Sequence, residues 1–118
     1  MRASSSKEDK VARADLTSLG DIQEACAHIL NRLEGVSLAK FADDRTLRDS
    51  INMQLAYIGE ASKSLSDKAK KMYPAIAWRD MARLRDLLVQ RSWHAEVMKL
   101  WEIVQSDIPV LYSTLQGE

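Results

Sequence analysis

Cysteine, proline and glycine are all scarce in this chain, at one, two and four residues among 118. A lone cysteine, Cys26, cannot close an internal disulfide, so a disulfide-stapled secreted scaffold is excluded and a reducing cytoplasm is the expected setting. So few turn formers, with few runs of β-branched residues, argue against a β architecture and for helices. No run approaches the 18 or so apolar residues of a membrane span, and the residues from Met1 to Lys10 lack the apolar core of a signal peptide. Neither export nor membrane insertion is expected. There is no Gly-rich phosphate loop, no C-x-x-C and no G-x-S-x-G. The two histidines, His28 and His94, stand far apart and outside any Glu-x-x-His pattern, so neither a metal site nor a cofactor is expected. Glu24 and His28, four apart, read as a surface pair, and Cys26 as a small core residue.

What the chain does contain is ordinary globular material, 46% apolar and 29% charged. Residues 1–14 read as a flexible tail and 15–118 as a single domain. Net charge is zero, yet unevenly spread: residues 63–91 hold 8 basic and 3 acidic side chains, whereas the flanks are both acidic. Local basic surface of this kind suits phosphate even when the whole is neutral.

Helix 1 is expected to start at Ser18 or Asp21, with a stripe of Ile22, Cys26, Ile29, Leu30 and Leu33, and to end at Gly35. Asp43 or Asp44 caps helix 2, which carries Leu47, Ile51, Leu55, Ile58, Ser62 and Leu65. Its small residues Gly59, Ala61 and Ser62 invite close approach by another backbone. A short helix runs from Ser66 to Met72 and is ended by Tyr73-Pro74. Helix 4 is expected over about Arg79 to Gln90, and helix 5 from near His94 to Glu96, with Pro109 kinking or restarting it. Tyr57, Tyr73 and Tyr112 read as packing residues with polar tips. Short joins between four to five helices make an antiparallel all-α bundle the economical packing.

Four segments in order carry more information: Ile58-Gly59-Glu60-Ala61, Pro74-Ala75-Ile76-Ala77-Trp78, Arg85 to Ser92, and Trp101-Glu102-Ile103-Val104 with Asp107-Ile108-Pro109-Val110-Leu111. Together they resemble the HepT group of HEPN-domain toxins, whose pattern is I-G-E-A, P-x-I-P-W, R-N-x-x-x-H-x-Y, then W-x-I-V and D-L-P-x-L. The resemblance covers roughly residues 19–115. It implies a HEPN/HepT-like helical bundle that forms a homodimer and cleaves RNA without metal in a cleft at the dimer interface. It also implies a partner, an MntA-like nucleotidyltransferase antitoxin that adenylylates the motif tyrosine.

Carried onto this chain, the motif is incomplete. Arg85 holds the arginine position, Asp86 stands for asparagine, Gln90 for the histidine and Ser92 for the modified tyrosine. An imidazole can take a proton from a ribose 2′-hydroxyl while a guanidinium stabilises the phosphorane; an amide cannot act as the base. Asp86 also competes with phosphate for Arg85. His94, nine residues beyond Arg85, is the candidate substitute base. Arg85 and Gln90 lie about 140° apart on an ideal helix, so their cooperation needs the helix to end or a second subunit to contribute. The reading is a HepT-like toxin of a toxin–antitoxin pair with reduced or absent ribonuclease activity. The alternative is an inactive dimeric module that engages RNA or the nucleotidyltransferase without cleavage.

Overall fold

The computed structural model describes residues 2–84 and 93–117, and side chains over 12–84 and 94–117. Every element among the described residues is helical. In chain order they are α1 (Arg2–Leu33), α2 (Leu38–Asp43), α3 (Arg45–Ser64), α4 (Asp67–Lys71), α5 (Trp78–Ala82), α6 (Trp93–Glu102), a π turn (Ile103–Asp107) and α7 (Ile108–Gln116). The architecture is the all-α helical fold expected from the pattern.

The core forms where three long runs meet. α1 contributes Ile22, Cys26 and Ile29, α3 contributes Ile51, Leu55 and Ile58, and the α6–α7 run contributes Ile103 and Ile108, all fully buried. Side chains of this size each stabilise the fold by about 1.5–3 kcal/mol when removed from water. Phe41, the chain's one phenylalanine, is buried at the edge of this core with its ring centroid 5.0 Å from that of Trp101.

Local chemistry explains most boundaries. Asp44, rather than Asp43, caps α3 by accepting the Leu47 N–H at 2.9 Å. Ser66 caps α4 through the Ala69 N–H at 3.1 Å. Gly35 follows α1 with φ +73°, the left-handed conformation a glycine adopts without penalty. Pro109 has no N–H to return to the preceding turn, and the helix there widens: the Ile108 N–H bonds Ile103 O before α7 continues.

Three expectations are corrected. α1 does not start at Ser18 or Asp21 but continues back to Arg2, so most of the stretch read as a tail lies in helix. Lys7 to Ala14 is rich in good helix formers, and Ser18 is buried mid-helix rather than acting as a cap. A short helix, α2, stands where none was expected, started by Ser37 accepting the Lys40 N–H at 3.2 Å. Helix 4 is broken after Ala82, where Arg83 and Leu84 form a turn, and the rest of its expected span to Gln90 lies outside the described residues. In a continuing helix Leu84 would lie about 120° from Trp78; after the turn both are buried.

Candidate active site

The motif residues Arg85, Asp86, Gln90 and Ser92 lie outside the described residues, but both of their anchors are described. On the upstream side, Trp78 and Met81 face the core, and the indole Nε1–H of Trp78 donates to Lys70 O at 3.2 Å. This ties α5 to α4. The carbonyls of Met81 and Ala82 pass over Gly59, where a Cβ would meet Ala82 O at 3.4 Å. Gly59 of the I-G-E-A segment thus seats α5 against α3, as its small residues suggested. Leu84, one residue before Arg85, is fully buried.

Downstream, α6 starts at Trp93, one residue after Ser92. His94, the candidate substitute base, is exposed in its first turn. Glu96 is half-buried and Val97 buried. Glu96, Val97 and Leu100 form one wall of a groove of about 460 Å³ whose other wall is the α3 face bearing Arg45, Arg48, Asp49 and Asn52. These groove residues were not singled out in the sequence. Their spacing on α3 was the available signal, since positions i, i+3 and i+7 share a helical face.

Arg48 is held in place: its Nη1 donates to Phe41 O at 3.1 Å and to Ala42 O, satisfying carbonyls at the end of α2. Arg45 and Asp49 make a loose, solvent-exposed pair at 3.8 Å.

The elements of the upstream anchor carry exposed cations. Lys68 and Lys71 on α4, and Arg79 and Arg83 on and after α5, are all exposed. None of these four forms an ion pair among the described residues, whereas Lys63 is engaged by Glu60 at 3.7 Å.

Among the described residues, the remaining polar side chains do not form a catalytic cluster. Glu24 and His28 share an exposed α1 face and line a second groove of about 470 Å³ with Gln54, Tyr57 and Glu60 of α3. No group of three His, Cys, Asp or Glu side chains suited to a metal exists among the described residues. Tyr73 and Tyr112 pack against the core as expected; Tyr57 does not, being 53% exposed. Burial pushes the Cys26 thiol up to about 12, which leaves it protonated and inert, the small core residue it was read as.

Every described element is helical, the fold class of the HepT-like ribonucleases. Residues 22–117 match the family described as "Ribonuclease HepT-like", and the chain belongs to it. It is 37% identical over 93 residues to "Probable ribonuclease HepT" of Thermococcus cleftensis, covering 79% of this chain and 84% of that protein. It is 31% identical over 91 residues to "Putative RNase MJ0127" of Methanocaldococcus jannaschii, covering 77% and 75%. No solved structure matches. No helix among the described residues is long and apolar enough to cross a membrane.

Proposed function

We propose that this chain is the HepT-like toxin component of a toxin–antitoxin pair, a homodimer that binds RNA and whose cleavage activity is reduced or lost. The observation that carries the reading is the family match, which runs through the motif while that motif keeps Arg85 and replaces the histidine by Gln90.

The chemistry follows from those two positions. Metal-independent cleavage has the ribose 2′-oxygen attack its own phosphate, forming a 2′,3′-cyclic phosphate and expelling the 5′-oxygen of the next nucleotide. The attacking hydroxyl must lose a proton and the leaving oxygen must gain one. Arg85 supplies charge for the phosphorane oxygens. Gln90 orients a hydroxyl but takes no proton, and general acid–base catalysis is worth about 10²–10⁴ in rate. Lys68, Lys71, Arg79 and Arg83, exposed cations that precede the motif in the chain, support the RNA assignment as sequence-independent phosphate contacts. A second reading, an inactive dimeric module that binds RNA or an MntA-like nucleotidyltransferase without cleaving, is favoured by Ser92 standing where the family's modified tyrosine belongs.

The test incubates RNA in EDTA with wild type, Arg85→Ala and Gln90→His. Weak cleavage lost in Arg85→Ala and raised about 100-fold or more in Gln90→His supports the toxin reading. A protein that neither cleaves nor gains activity from the restored histidine is the inactive module. Growth arrest relieved by a co-expressed nucleotidyltransferase reads the pairing independently, and a monomer mass in solution contradicts the dimer.

A further inference from the structure

The groove between the α3 face and the start of α6 has no role in the family motif, yet its lining is unlike a simple solvated crevice. Val97 and Leu100 provide an apolar floor. Above it stand donors from Arg45, Arg48 and Asn52 and acceptors from Glu96 and Asp49. Half-buried Glu96 and exposed Asn52 make no hydrogen bond or ion pair among the described residues, so both edges are open to a ligand. Arg48 is pre-oriented by the α2 carbonyls, and Arg45 has only a loose exposed pair to exchange for a stronger one.

We propose that this groove is a nucleotide subsite that holds one unpaired RNA nucleotide flanking the cleaved phosphodiester. The inference rests on the RNA-binding reading above and deepens it. Among the described residues the charges lining the groove balance, two guanidiniums against two carboxylates, which suits a nucleobase better than bare phosphate. A base laid on Val97 and Leu100 presents its edge to Asn52 and Glu96, the side-chain types that read base donors and acceptors, while its phosphate meets Arg45. A volume of about 460 Å³ lies in the range of small-ligand pockets. Position is compatible with the same ligand: Glu96 is only four residues beyond Ser92, less than about 15 Å of chain.

The experiment follows backbone amide NMR shifts of the full chain during titration with 5′-AMP, 5′-CMP and inorganic phosphate. It also measures the affinity of a 2′-O-methyl RNA oligomer, which cannot be cleaved. Nucleotides should shift Arg45 to Asn52 and Glu96 to Leu100, and phosphate alone should shift them much less. Asn52→Ala and Glu96→Gln should weaken nucleotide binding at least fivefold, and Arg45→Ala with Asn52→Ala should weaken the oligomer about tenfold. Thr46→Ala, exposed on α3 but outside the groove, should change neither. If wild type cleaves RNA and the groove variants keep its KM and affinity, the subsite is wrong and the toxin reading stands. If wild type never cleaves but nucleotides seat in the groove, the cleavage reading fails and the subsite stands. Nucleotide shifts confined to other elements, shifts equally strong with phosphate, or no binding of nucleotide and oligomer overturn the subsite.

Discussion

The Asp15 carboxylate on α1 accepts two hydrogen bonds from Ser66, 51 residues away: the backbone N–H at 2.9 Å and the hydroxyl at 2.6 Å. The same hydroxyl accepts the Ala69 N–H, so one aspartate orders the cap that starts α4. Two bonds to a charged acceptor at a half-buried site place Asp15→Ala at a cost of about 1–3 kcal/mol. The loss should appear as a lower urea midpoint with an unchanged slope, and Asp15→Asn should fall between the two. An Asp15→Ala protein as stable as wild type would show that α4 needs no anchor.

The α5 backbone passes over Gly59 with room for a methyl group but not for a branched side chain. A methyl group there would meet Ala82 O at 3.4 Å and Met81 O at 3.6 Å, which is ordinary contact. Alanine also gains about 1 kcal/mol of helix propensity over glycine. Gly59→Ala is therefore expected to leave the melting temperature unchanged or raised. Gly59→Val forces α5 outward, costs about 1–3 kcal/mol and reduces RNA binding through displacement of the Leu84 anchor. Equal behaviour of the two variants would refute the close-approach argument.

The boundary between what the residues foretold and what they did not follows the range of the interactions. Asp44 and Ser66 cap helices by bonds to the third residue onward, so they are readable locally. The buried stripes of α1 and α3 follow from helical periodicity alone. Ser18 and Asp21 misled because the same side chains that cap a helix also occur within one, and nothing local distinguishes the cases. The stop at Ala82 has no glycine or proline behind it; burial of Leu84 outweighs the continuing helical pattern. The Asp15–Ser66 link and the groove joining Asn52 to Glu96 depend on tertiary packing between residues more than 40 positions apart, which no local pattern records. The roles given to Arg85 and Gln90 come from family resemblance alone, and both residues lie outside the described residues.

Cys26 offers a direct reading of core opening. Its thiol is fully buried, and burial raises its pKa from 9.0 to about 12. A raised folded value means the native state retains a proton that the unfolded chain releases. That stabilisation is complete below about pH 9 and is lost as pH rises from there towards 12. A thiol reagent at pH 8 should therefore leave native protein unlabelled and react fully in denaturant, with slow native labelling tracking the unfolding equilibrium. Rapid stoichiometric labelling without denaturant would contradict the buried placement.

Asp107 gives a pH dependence of the same sign from a carboxylate. It sits in the π turn before α7, and its pKa is raised chiefly by partial desolvation, opposed by Lys99 and reinforced by the negative charges of Glu102 and Asp80. The folded state therefore favours its protonated form. Its contribution is fully present below the ordinary carboxylate value and lost as pH rises through the folded value, leaving Asp107 mildly destabilising at neutrality. Asp107→Asn is expected to raise the melting temperature at pH 7 by about 1–3 °C, a small gain because the side chain is largely solvated. Thermal melts of both proteins between pH 3 and pH 8 check this: the gap should close in acid, where both side chains are neutral. A gap that stays constant with pH would assign the effect to local packing around the π turn instead of to charge.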